Sequence, residues 1–166
     1  GKAPQRSVAH LAKHGLKPPK LAAFLFRLAR YQQPEIVVEL GTSLGISTLY
    51  LSEACPQAQI HTFEGCPQTA DLAQKHFRWA AAENIHLHLG PIDETLPHFL
   101  SNQTAVDFAF IDANHRRQPT LRYHNWLWPQ LSENGLLVYD DSYWSRGMQQ
   151  AWQILAAMDG VTLSID

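Results

Sequence analysis

The sequence predicts an α/β fold, a doubly wound, mostly parallel sheet with helices on both faces. Three observations carry that expectation. Short apolar runs rich in β-branched and aromatic residues alternate with longer stretches of helical spacing, the pattern of repeated strand–helix units. The run Ile36-Val37-Val38-Glu39-Leu40 passes at once into Gly41-Thr42-Ser43-Leu44-Gly45 and then Ile46-Ser47-Thr48, which reads as strand, glycine-containing turn and helix start. The expected strands also end in acids: Glu39, Glu64, Asp112 and the pair Asp140-Asp141. Ligands of open parallel sheets bind outside the carboxyl ends of the strands, so these acids mark one edge as functional.

Composition bounds the answer. The 166 residues suggest one domain, with residues 1–33 as a polar, basic lead-in and a first helix. A hydrophobic content of 45% and five tryptophans are ample for a core. The net charge of −2 gives no electrostatic case for a nucleic-acid partner. There is no apolar run of the ~18 residues a membrane span needs and no export signal, so the cytoplasm is the expected location. Cys55 and Cys66 are expected to be free thiols.

The elements follow in order. Pro18-Pro19 starts a helix in which Leu21, Phe24, Leu25, Leu28 and Ala29 recur with helical period, an apolar stripe expected to lie on the sheet; it ends before Pro34. Ile36–Val38 is the first strand and residues 44–54 the helix after it. Residues 58–64 form the second strand. Its terminal Glu64 follows Gly41 by 23 positions, near the ~20 at which a doubly wound nucleotide site places a ribose-binding acid. Residues 67–83 read as a helix and the alternating Ile85-His86-Leu87-His88-Leu89 as the third strand, with His86 and His88 on a solvated face. Gly90-Pro91-Ile92-Asp93 is a loop before a short helix, 95–100. Val106–Asp112 is a central strand, apolar on both faces. A helix over 118–131 interrupted by Pro129, a turn at Ser132–Gly135, a fifth strand over Leu136–Tyr139, a helix over 147–158 and a sixth strand over 161–165 complete the order.

Two sites stand out. In the first, Gly41 permits a tight turn with close backbone approach, Gly45 permits close packing, and Ser47 and Thr48 bring hydroxyls to a helix N-terminus whose free N–H groups favour polar or anionic groups. An acid there, Glu39, suits a cationic ligand. On these residues alone an ordinary βα turn with packing glycines is an equal reading. In the second, Asp112, Asp140 and Asp141 end strands that lie ~4.8 Å apart when adjacent. Converging carboxylates repel unless they share a cation or a proton. A hard divalent ion such as Mg²⁺ suits them, and acids that merely orient loops are as good a reading.

The stretch Glu39-Leu40-Gly41-Thr42-Ser43-Leu44-Gly45 resembles the first motif of Rossmann-like S-adenosylmethionine (SAM)-dependent methyltransferases, most of all catechol-type O-methyltransferases and their bacterial relatives. The resemblance runs from about Leu21 to the end. It implies SAM as cofactor, held by the loop residues Glu39, Gly41, Thr42, Ser43, Gly45 and Ser47, with Glu64 on the ribose, Asp93 in the adenine loop and Asp112 bordering the cofactor. It implies Mg²⁺ or another divalent cation on Asp112, Asp140 and Asp141, where the family commonly has Asn in place of Asp141. His115 matches the place of the family's catalytic lysine, and histidine serves as a base near neutral pH. The resemblance further implies a small-molecule acceptor methylated on a hydroxyl. It also implies a seventh, antiparallel strand beside the fifth, for which no residues remain. Either the chain continues or the edge is covered by a partner such as a second copy in a homodimer. A metal-independent methyltransferase and a non-catalytic SAM-binding protein are the alternatives. A nicotinamide dehydrogenase is disfavoured by the missing Gly-x-Gly-x-x-Gly.

Overall fold

The computed structural model describes residues 18–102 and 105–159. The expected sixth strand and the first 17 residues of the basic lead-in lie outside the described residues. Five strands form one wholly parallel sheet, β1 (Ile36–Leu40), β2 (Gln59–Glu64), β3 (Ile85–Leu89), β4 (Val106–Ile111) and β5 (Leu131–Tyr139), in the order β3-β2-β1-β4-β5. The helices are α1 (Pro19–Gln32), α2 (Ile46–Ala54), α3 (Pro67–Trp79), α4 (Ile92–Leu100), α5 (Arg117–Leu127) and α6 (Arg146–Ala156). The strand order reverses direction beside β1, which places the crevice of a doubly wound sheet at the ends of β1 and β4. Among the described residues no helix is long and apolar enough to cross a membrane.

The central strands are buried on both faces, so their side chains alternate between two cores. Val37, Ile60, Phe108 and Phe110 join Leu25, Ala29 and Leu51 on one face. Val38, Leu40, Phe63, Ala109 and Ile111 join Leu96, Phe99, Tyr123 and Leu127 on the other. The start of β1 is fixed by Asp107, whose Oδ2 accepts hydrogen bonds from the Glu35 and Ile36 N–H groups at 3.0 and 2.9 Å.

Four local expectations are corrected. The apolar stripe of α1 does not lie flat on the protein. Ala22, Leu25 and Ala29 face inward, because small residues let α1 approach α2 closely, and Leu21 and Phe24 stay 50% exposed. Helix α3 ends at Trp79, four residues short of the expectation. Helix α4 starts at Ile92, so Asp93 sits in its first turn and not in a loop; Asp93 and Glu94 there complement the helix dipole. The expected turn at Ser132–Gly135 is a bulge within β5. Val106 pairs with Leu131 and Phe108 with Leu136, so Asp107 alone opposes four residues. Pro129 ends α5 as expected, in the 3₁₀ turn Trp128–Gln130. Both cysteines are free, Cys55 buried and Cys66 exposed.

His88 departs from the solvated face expected of it, being half-buried, whereas His86 is exposed as expected. His61 on β2 pairs in register with His86, and its Nδ1 lies 3.1 Å from Nε2 of His88. Phe99 of α4 covers His61 at a ring distance of 4.4 Å. Burial first, then His86 and His88, push the His61 imidazole down to about 4. Between pH 6.5 and about 4 the unfolded chain therefore binds a proton that the folded chain excludes. Stability from this site is complete above that window and is lost as pH falls through it. Urea midpoints of the wild type are expected to fall more steeply than those of His61→Leu between about pH 7 and about pH 4.5. Parallel profiles would contradict the assignment.

Candidate functional site

The hydrogen-bond ladder runs one residue beyond the strands at their carboxyl ends. The Gly41 N–H donates to the Phe63 carbonyl at 3.0 Å, Asp112 N–H to the Leu40 carbonyl at 2.9 Å and Asp140 N–H to the Ile111 carbonyl at 3.0 Å. Glu64, Gly41, Asp112 and Asp140 thus emerge side by side from β2, β1, β4 and β5.

Gly41 has φ +99°, and a Cβ there would stand 2.3 Å from the Asp112 carbonyl oxygen. The close approach expected of this glycine is made to the protein's own backbone. Gly45, φ +76°, packs on α3, where a Cβ would meet the Phe77 ring at 2.5 Å. Ser43 holds φ +49° and its N–H donates to Glu64 Oε2 at 3.0 Å; the Cys66 N–H donates to Glu64 Oε1 at 2.8 Å. Glu64 therefore braces the glycine loop from β2 while remaining partly exposed.

Glu39 is fully buried beneath this loop. Its Oε2 accepts from Thr62 Oγ1 at 2.7 Å and from Thr48 Oγ1. Thr42 turns inward, its Oγ1 2.6 Å from that of Thr62. Glu39 Oε1 is buried without a hydrogen-bond partner of normal geometry. Burial pushes the Glu39 carboxyl up to about 7, against the pull of the Ser47, Thr48 and Thr62 hydroxyls and with a further push from Asp112. A buried acid with an orphaned oxygen, beneath a glycine loop, fits a cationic ligand group that would supply the missing partner.

On the β4–β5 side, His115 Nε2 lies 3.6 Å from Asp112 Oδ1 and 3.6 Å from Asp141 Oδ2. One donor atom from each of these three residues falls within 4.8 Å of the others. Asp140 is not in this group. Asp141 has φ +53°, which turns the chain after Asp140 so that its own carboxylate reaches His115. Asp93, the adenine-loop candidate, is clamped by Arg122, with Nη2 2.9 Å from Oδ1 and 2.7 Å from Oδ2.

Comparison with known proteins rests on the same stretch. Residues 38–142 match the family described as Methyltransferase domain. The chain belongs to that methyltransferase family. It is 31% identical to a catechol O-methyltransferase of Niastella koreensis over 127 residues, 75% of this chain and 56% of that protein. It is 29% identical to a catechol O-methyltransferase of Mycobacterium tuberculosis, over 86% of this chain and 66% of that protein. Among solved structures, an O-methyltransferase from Bacillus cereus in complex with SAH shares the fold at a TM-score of 0.77 and 21% identity, over 88% of this chain and 73% of that one. The chain spans 56% of the length of the Niastella relative.

Sequence reasoning missed residues of this candidate site that are placed by register or by the sign of φ. Thr62 reaches Glu39 because the two are paired across β1 and β2, and no motif in β2 announces that. Asn114 holds φ +58° and its Nδ2 donates to the buried Tyr123 hydroxyl on α5, which pins the loop between Asp112 and His115. The exposed Tyr143 and Trp144 follow Asp141 on the same edge, and Ser145 caps α6 by accepting from the Met148 N–H at 3.2 Å.

The Glu39 shift gives a sign that can be checked. A carboxyl raised in the folded state contributes stability below pH 4.5 that is lost as pH rises through about 7. Relative to wild type, ligand-free Glu39→Gln is expected to gain stability from about pH 4.5 to about pH 7 and to hold that gain at higher pH. Thermal midpoints across this range decide it; a difference that does not change with pH would contradict a raised Glu39.

Proposed function

We propose that this chain is the cofactor-binding catalytic part of a SAM-dependent O-methyltransferase that methylates a small-molecule hydroxyl with help from a divalent cation. The observation that carries the reading is the buried Glu39, its Oε1 unsatisfied, beneath a glycine loop in the segment that matches the methyltransferase family. Bound SAM supplies an electrophilic methyl on a sulfonium, and a bound cation lowers the pKa of a hydroxyl beside it.

The chain's own residues divide the work. Glu39 faces the positive part of the cofactor. The backbone of Gly41 to Gly45 lines its methionine portion, and the first turn of α2 offers its N-terminal N–H groups and the Ser47 hydroxyl, while Thr48 is committed to Glu39. Glu64 binds the ribose with lone pairs not used on Ser43 and Cys66. Gly90–Ile92 borders the adenine, with Asp93 holding that segment to α5 through Arg122. Asp112 and Asp141 bind the cation, and His115 between them is either the acceptor of the hydroxyl proton or a third ligand. Cofactor loop and acid cluster touch at Gly41 and Asp112, so an acceptor held by the second lies against the methyl held by the first. Alignment of oxygen, methyl and sulfur then supplies much of the rate.

Calorimetric titration with S-adenosylhomocysteine tests the cofactor half. Binding in the micromolar range is expected for wild type, falling by at least about ten-fold in Glu64→Ala, since two hydrogen bonds to a charged group are worth about 1.5–3 kcal/mol each. Absence of binding by the folded wild-type chain would overturn the proposal.

A further inference from the structure

The cluster at the ends of β4 and β5 differs in chemistry from three acids. The atoms that converge are two carboxylate oxygens and one imidazole nitrogen, with Nε2 of His115 equidistant, at 3.6 Å, from Asp112 and Asp141. Donors held at about 2.1 Å from one ion stand at most about 4.2 Å apart, so these spacings close around an ion with little movement. The loop that carries His115 is fixed for the purpose: Asn114, in a left-handed conformation, is tied to the buried Tyr123 of α5. Asp141, also left-handed, brings its carboxylate in from β5. Asp140 remains in the ladder and does not join.

Resting on the methyltransferase reading, we infer that Asp112, His115 and Asp141 form a mixed nitrogen–oxygen cation centre in which His115 is a ligand and not the base. This centre takes a first-row transition cation of the Mn²⁺, Fe²⁺, Co²⁺ or Zn²⁺ class in preference to Mg²⁺. The preference follows from the donor set. Mg²⁺ favours oxygen-only surroundings and releases water reluctantly, whereas imidazole nitrogen binds the transition ions well. Two carboxylates offset the charge of a divalent ion, and the neutral imidazole adds a ligand without adding charge. A histidine so engaged has its lone pair on the ion, so the hydroxyl proton leaves to a water or to another group.

The test is cation binding by the whole chain, followed alongside S-adenosylhomocysteine binding. Mn²⁺ and Co²⁺ are expected to bind at least about ten-fold more tightly than Mg²⁺. Pulsed electron paramagnetic resonance of bound Mn²⁺ is expected to show modulation from a directly coordinated nitrogen that disappears in His115→Ala. That variant is expected to lose about 10–100-fold in Mn²⁺ affinity with S-adenosylhomocysteine affinity unchanged, while Asp140→Asn binds Mn²⁺ as wild type does. Equal or tighter Mg²⁺ binding, no nitrogen modulation in the wild type, or undiminished affinity in His115→Ala would overturn the inference. If S-adenosylhomocysteine binds and none of these cations does, the cluster is a contact of His115 with two acids that takes no cation; the inference then fails and the cofactor reading stands. If neither binds, both fail.

Discussion

Most of this site depends on one close approach, that of Gly41 to the backbone of Asp112. The ladder places the two residues side by side at the ends of β1 and β4, and a Cβ on Gly41 would stand 2.3 Å from the Asp112 carbonyl oxygen. The contact exists because β1 and β4 are adjacent, parallel and in register to their last residues. It is what makes the glycine loop and the acid cluster neighbours. A reaction between two bound molecules needs its two binding sites against each other, since positioning can supply a large share of the barrier lowering. The crossover topology provides that adjacency, and the missing side chain at residue 41 permits it.

A second constraint lies below the loop. Burying Glu39 raises its carboxyl to about 7 even with Thr48 and Thr62 donating to it. The folded, ligand-free chain thus holds an acid whose charged form burial disfavours, poorly solvated and partly unsatisfied. Native proteins seldom leave a buried oxygen without a partner unless something else fills the role. A cationic ligand would complete the site and draw the carboxyl back to its charged form. The cluster at the ends of β4 and β5 is more exposed, with His115 Nε2 set 3.6 Å from a carboxylate oxygen of Asp112 and of Asp141.

The sheet was legible in the sequence because buried parallel strands must be apolar on both faces, and Ile36–Val38 and Phe108–Ile111 leave no other reading. The candidate site was legible where residue type alone carries the chemistry: glycines at a turn, acids at strand ends. It was illegible where backbone sign or register decides. Asp140 and Asp141 are alike as residues, and only the left-handed turn at Asp141 determines which of them meets His115. Thr62 matters through its register with Glu39. The misjudged face of α1 has a similar cause. Alanines give a weak signal in a hydrophobic pattern, yet Ala22 and Ala29 face the protein and Leu21 and Phe24 do not. Asp93 looked like a loop residue because the start of α4 after Pro91 has no side-chain cap to mark it.

The central claim is that the glycine loop and the Asp112–His115–Asp141 cluster form one centre joined through Gly41. The measurement that tests it most directly is the binding of S-adenosylhomocysteine and of Mn²⁺, each by calorimetry, to Gly41→Ala protein whose circular dichroism shows it folded. One added methyl group, displacing the backbone at Asp112, is expected to weaken both ligands. A folded Gly41→Ala protein that binds both as tightly as wild type, or loses one with the other untouched, would contradict the account.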